Sequence, residues 1–220
     1  MIEEIFERDE TIMAKRVVVT GRGLVTPLGN GLSENLHSLR EGKTGTVFMQ
    51  EWADQGLESQ VAGVSDREVQ CPMFNVKNVR FMAPNARMAA AAAYEAFVEA
   101  GLSPENLPDR RVAMINGCAG SSYETVYRNM STFERTRKLR SCSPFSVPKI
   151  MPSCAVANMS LLFGTTGESY DISCACTSSA LAIIAGARLI LAGEYDYVLA
   201  GGSEELSWAQ ALGFLSLIHI

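Results

Sequence analysis

Apolar positions along the chain fall into short blocks separated by glycine and proline, and most blocks have a readable period. Val17-Val18-Val19-Thr20-Gly21 is β-branched without polar alternation, which predicts a strand covered on both faces. Residues 111–116 and 196–202 read the same way. Residues 168–173 alternate instead, with Tyr170 and Ile172 on one face, as in an edge strand. Three of the longer apolar stretches carry helical signals. Residues 85–100 are alanine-rich and stop at Gly101, with Pro104 beyond. A run of small and apolar residues ends at Phe163-Gly164, and a long apolar helix is predicted over 181–191. A shorter helix opens at Ser33-Glu34 and ends before Gly42; 123–140 is a polar helix or loop; 44–79 is irregular, with short strands. Strands alternating with helices predict an α/β layer architecture around a largely parallel sheet.

Composition narrows the function classes. With 220 residues and 47% hydrophobic content the chain can build one domain with a substantial core. The net charge of −5, with both signs spread along the sequence, argues against nucleic acid as the main partner but leaves room for a local basic patch. The N-terminus is acidic and has no apolar segment of the kind a signal peptide needs. The longest apolar run, 180–192, contains Arg188 and is too short to cross a bilayer, so a soluble, cytoplasmic protein with no membrane contact is expected. Six cysteines show no C-x-x-C pair, and only His37 and His219 are available beside them. Neither a zinc site nor a disulfide framework is predicted, and no cofactor is called for.

The chemistry concentrates in Ser173-Cys174-Ala175-Cys176-Thr177-Ser178. A thiol placed where a strand gives way to a helix sits beside unpaired backbone N–H groups and the positive end of the helix dipole, both of which favour thiolate. Cys176, next to the helix-opening Thr177-Ser178, is the candidate nucleophile, and Cys174 is its less favourably placed neighbour. A redox or metal role for the Cys174-x-Cys176 pair is disfavoured by its expected geometry. Gly21-x-Gly23 invites a dinucleotide-binding reading, but the third glycine of that fingerprint is missing and Pro27 interrupts the helix start.

Four motifs in order carry a family resemblance: Val17-x-x-Thr20-Gly21-x-Gly23-x-x-Thr26-Pro27-Leu28-Gly29, then Ala100-Gly101-Leu102, the Cys176 segment, and Ala200-Gly201-Gly202-Ser203-Glu204-Glu205. Together, over roughly residues 14–214, they resemble the β-ketoacyl-acyl-carrier-protein synthases. Val79-Arg80-Phe81-Met82 is similar to a segment of the type I elongating branch. The resemblance implies the thiolase-like fold, in which two similar α/β halves are each built on a mixed five-stranded sheet covered by helices. Residues 13–214 resemble the N-terminal half, and the C-terminal half is missing. Residues 1–12 then form an extension outside the family pattern. Residues 215–220 do not continue it either; they read as the translation of a common sequencing adapter and are expected to be a non-native tail.

The resemblance also implies roles. Cys176 would accept the growing acyl chain as a thioester in a decarboxylative Claisen condensation with malonyl-carrier, as in fatty acid biosynthesis. Gly120, Met151 and Phe214 would lie along the acyl-chain pocket, the small Gly120 leaving room for longer chains. Lys77, Arg80, Arg137 and Arg140 match positions that contact the acidic acyl carrier protein. The strand at 168–173 would pair with its copy in a homodimer. Two histidines and a lysine that complete the chemistry belong to the C-terminal half, and His37 falls at a non-catalytic position. The chain is therefore expected to be an inactive fragment with exposed apolar surface. Rival readings within the fold are type II elongating synthases, thiolases, and polyketide or aryl-polyene ketosynthases. A chain-length-factor subunit is a further rival, but such partners typically replace the nucleophile that this chain retains.

Overall fold

The computed structural model describes residues 16–65, 69–103, 105–107 and 111–215. The predicted glycine–proline loop folds into a small antiparallel hairpin, β1 (Val25–Thr26) and β2 (Gly29–Asn30), followed by α1 (Leu32–Arg40). Buried Asn35 fastens the two together: its Nδ2 donates to the carbonyls of Gly29 at 2.9 Å and Gly31 at 2.7 Å. The irregular stretch at 44–79 contains a second antiparallel pair, β3 (Thr46–Phe48) and β4 (Val61–Gly63), with α2 (Gln50–Asp54) between them. The short α3 (Val76–Val79) starts at a capping box made by Asn75 and Asn78.

The alanine-rich helix is α4 (Pro84–Glu99), with proline in its first turn and Gly101 in the left-handed region (φ 69°) just past its end. Then come β5 (Val112–Gly117), α5 (Tyr123–Thr136), a 3-10 turn (Leu139–Ser141), α6 (Ser146–Ile150) and α7 (Cys154–Phe163). The C-terminal part supplies β6 (Ser169–Ile172), α8 (Ser178–Leu191), β7 (Tyr197–Gly202) and α9 (Trp208–Leu215).

The main sheet has the order β6-β5-β7, with both pairings parallel. β5 is buried at all six residues, which accounts for its uninterrupted apolar reading. On one face α4 and α7 close the core, where Ala86, Ala90 and Ala93 allow close packing and Phe97 meets Phe163 edge-on at 4.9 Å. On the other face lies α8, which buries Ser178, Ala182 and Gly186 against the sheet and leaves Ile183, Ile184 and Leu191 about half exposed.

The described residues supply three strands of this sheet, all parallel, where the family resemblance implies five of mixed direction. The strand predicted at 17–21 does not form. This segment shares a cleft with β7, but Val18 and Val19 remain 64% and 81% exposed. A β-branched run specifies a preference for burial, not a pairing partner. The chain just after it is held by side chains instead: Glu99 accepts from Arg22, and Glu95 accepts the N–H groups of Leu24 at 3.0 Å and Leu32 at 2.7 Å. Residues 1–12 and most of the tail expected at 215–220 lie outside the described residues.

Candidate active site

The site is assembled at the C-terminal ends of the parallel strands, where open α/β sheets place their ligands. β6 ends at Ile172 and α8 begins at Ser178, leaving a short elbow between them. Thr177 N–H donates to the Cys174 carbonyl at 3.1 Å, closing a tight turn, and Ala175 within it has φ 47°. Ser178 locks this turn from inside the protein. The Cys174 N–H donates to its hydroxyl oxygen at 2.8 Å, and the hydroxyl donates to the Ala175 carbonyl at 2.6 Å. Ser178 is only 3% exposed, and the chain pattern gave no sign of this role beyond a serine at a helix start.

Two glycines let α8 begin so close to the sheet. A Cβ on Gly117, at the end of β5, would lie 2.4 Å from the backbone of Ser178 and Ser179. One on Gly202, at the end of β7, would lie 1.8 Å from the Ser179 hydroxyl oxygen. Backbone approach of this kind is what glycine at a strand end permits.

Cys176 opens into a cavity of about 360 Å³ whose lining includes Gly120, Tyr123, Gln210, Gly213 and Phe214. The structure thus brings Cys176, Gly120 and Phe214 together. Tyr123, not singled out from sequence, covers Gly120: a Cβ there would lie 2.6 Å from its ring. Met151 is elsewhere, on the rim of a second, larger groove of about 660 Å³ that it shares with Lys77, Phe81 and Cys154. Cys174 is exposed but does not line the first cavity.

The loop carrying Gly120 is held by the two glutamates of the Ala200–Glu205 motif. Glu204 accepts from the Ala119 N–H, and Glu205 accepts from the Ser122 hydroxyl at 2.9 Å. Ser122 in turn caps α5. In the sequence this motif marks the family resemblance; in the fold its two glutamates hold the loop beside the cavity. Beneath it, Cys118 is buried and donates to the Gly120 carbonyl, and its thiol is pushed up to about 12 by burial and then by the Glu204 charge. Burial also raises Cys71 and Cys154. The Asp171 carboxyl on β6 is pushed up to about 6 by burial, although the Asn116 side chain donates to it at 2.5 Å.

The four basic residues divide between two places. Lys77 lies on α3 and Arg80 caps its C-terminal end. Arg137 follows α5 in the left-handed conformation (φ 51°), and Arg140 lies in the 3-10 turn. None of the four forms an ion pair among the described residues. His37 is exposed on α1 and lines none of these cavities. Among the described residues no three His, Cys, Asp or Glu side chains gather to hold a metal, and no helix is long and apolar enough to cross a membrane.

A sequence profile described as Beta-ketoacyl synthase, N-terminal domain, matches residues 14–219. The 3-oxoacyl-acyl-carrier-protein synthase 1 of Escherichia coli is 37% identical over 201 residues, which are 91% of this chain and 49% of that protein. A crystal structure of a beta-ketoacyl synthase from Burkholderia phymatum superposes with a TM-score of 0.82 at 29% identity, over 92% of this chain and 50% of that one. A type II polyketide ketosynthase solved with its acyl carrier protein shares the fold, with a TM-score of 0.69 at 21% identity over 89% of this chain and 53% of its own. The chain spans about half the length of the curated relatives it matches.

Proposed function

The chain belongs to the β-ketoacyl synthase family, and on that premise we propose that Cys176 is the acyl-accepting nucleophile of a 3-oxoacyl-acyl-carrier-protein synthase of fatty acid biosynthesis. The observation that carries the proposal is the placement of Cys176: an exposed thiol, at the start of a fourteen-residue helix, on the wall of an apolar cavity. The thiolate attacks the carbonyl carbon of an acyl-carrier thioester. A new carbon–sulfur bond forms, and the carrier thiolate leaves and is protonated by solvent. The backbone at the start of α8 suits an oxyanion donor, because the first N–H groups of a helix lack intrahelical acceptors. Gly120 and Phe214 line the volume the acyl chain would occupy, and Met151 joins them in the reading drawn from the family.

Acyl carrier protein is the partner this reading requires. Lys77, Arg80, Arg137 and Arg140 support it, being cations that form no ion pair among the described residues, on a protein of net charge −5. Homodimer formation is proposed at β6, which pairs with β5 on one side and, among the described residues, has no strand on the other. The six free cysteines support a reducing, cytoplasmic setting. The fatty acid pathway is preferred to a polyketide one because the relative at 37% identity is a 3-oxoacyl-acyl-carrier-protein synthase by name, while the polyketide neighbour at 21% carries the fold alone.

Condensation also needs the two histidines that the family resemblance assigns to a C-terminal half, and the 220 residues contain only His37 and His219. Acyl transfer is therefore the partial reaction to measure. Incubation with an acyl-loaded carrier should add one acyl mass, mapped by peptide analysis to Cys176 and abolished by C176S, with no 3-oxoacyl product on addition of malonyl-carrier. Acylation of C176S, or modification that maps to Cys174 instead, would remove Cys176 from the role.

A further inference from the structure

Arg80 is held in a way that no other cation of the chain shares among the described residues. Its guanidinium carbon lies 5.1 Å from the centroid of the Phe81 ring and 5.2 Å from that of Phe145. The two rings meet edge to face, 5.1 Å apart at 84°, and so form a corner around the charge. One ring belongs to the residue next in sequence. The other comes from the residue that precedes α6, so the corner joins two segments that local sequence does not connect. Arg80 itself is exposed, and no carboxylate pairs with it among the described residues.

The chemistry of this holder differs from that of a salt bridge. An aromatic face attracts a guanidinium within about 6 Å through its quadrupole, which restrains the side chain without cancelling its charge. A ring also offers no carboxylate oxygen to the guanidinium N–H groups, so they are not taken up by an ion pair. A carboxylate holder would neutralise the charge and occupy the same donors that a docking partner needs. Arg22 shows the alternative within this chain: its guanidinium is bound to Glu99 and has its charge answered internally.

We infer that Phe145, together with Phe81, is the positioning device for Arg80: an aromatic corner that presents a fully charged guanidinium, with its planar fork of donors open, to a carboxylate on the docking acyl carrier protein. This inference rests on the carrier-docking reading above. Phe145 does not touch the partner in this scheme; it acts through Arg80. Restricting a long side chain before the encounter reduces the ordering cost of binding, so the benefit appears in affinity and is independent of the number of charges.

The test uses the full 220-residue chain and purified holo acyl carrier protein, with binding measured at several salt concentrations. F145L should weaken binding about three- to tenfold and leave the salt dependence unchanged, because the charge is still present. F145W should restore it. R80Q should both weaken binding and flatten the salt dependence. Wild-type affinity in F145L while R80Q is impaired overturns the aromatic corner and leaves carrier docking standing. Wild-type binding that is absent, or insensitive to both salt and R80Q, removes the docking reading and this inference with it. A second measurement needs no carrier and no folded variant: in the wild-type chain the Arg80 side-chain proton resonances should be shifted upfield by the two rings, and ordinary positions for them overturn the corner.

Discussion

Replacing Gly117 by alanine should disturb the nucleophile elbow more than its single methyl group suggests, and Gly201 supplies the control. The added carbon at 117 would stand 2.4 Å from the Ser178 carbonyl carbon and the Ser179 nitrogen. Comfortable separation is about 3.5 Å, so something must move by about 1 Å. β5 is buried on every side and paired with two strands, whereas α8 has an outward face open to solvent, so α8 is the element that yields. Overpacking of this kind costs about 1–3 kcal/mol, which at this chain length lowers Tm by about 3–10 °C. At Gly201 a Cβ meets nothing within 4 Å, so G201A keeps only the loss of unfolded-state freedom and should be neutral or stabilising by about 0.4–1 kcal/mol. Thermal melts of the two variants, with the rate of Cys176 alkylation by iodoacetamide, measure both consequences. G117A should melt well below G201A and show an altered Cys176 rate. Coincident melts and equal rates would refute the claim that glycine at the end of β5 sets the seat of the helix.

Two further outcomes follow from the titrating groups. Asp171 is raised from 3.8 to about 6, so the folded chain holds its proton more tightly than the unfolded one, and stability is lost as pH rises from about 4 through 6. The full shift corresponds to about 3 kcal/mol, reduced to about 1–2 by partial contact with solvent. D171N keeps an acceptor for Asn116 and should therefore raise Tm at pH 7.5 while matching the wild type near pH 4; equal melts at pH 7.5 would sink the assignment. The thiols should also separate by reactivity. At pH 8 the exposed Cys174 and Cys176 should alkylate while Cys118, pushed up to about 12 by burial, stays unmodified until the chain is denatured. Equal labelling of Cys118 in the native protein would contradict its placement.

What the sequence revealed depended on whether the relevant physics was local. The helix at 85–100 appears as α4 because alanine content, Pro84 and Gly101 are all properties of the segment itself. β5, β6 and β7 were legible because burial of a strand leaves either a continuous or an alternating apolar pattern. The run at 17–21 carried the same pattern and forms no strand, since pairing depends on residues elsewhere. The same division holds at the site. Cys176 is singled out as a candidate by its strand-to-helix setting, which is local. Ser178, Tyr123 and the two glutamates that anchor the Gly120 loop were missed, because each acts through a contact made by the folded chain. The aromatic corner around Arg80 is of the same kind: Phe145 lies far along the sequence from the residue it holds.

The backbone at the elbow explains why Cys176, and not Cys174, faces the cavity. Ala175 between them is held at φ 47°, a conformation that costs a residue with a Cβ about 1–2 kcal/mol. Without that reversal the alternation of β6 would continue, and Cys174 and Cys176 would point the same way, both across the sheet. The left-handed residue breaks the period, so Cys176 lines the cavity with Gly120 and Phe214 while Cys174 does not. Ser178 opposes the strain directly, tying the Ala175 carbonyl and the Cys174 N–H to a single buried hydroxyl. Gly117 and Gly202 contribute by letting the first residues of α8, which carry that serine, sit close to the ends of β5 and β7. A strained alanine, a buried serine and two strand-end glycines thus act on one outcome, the direction in which a single thiol points.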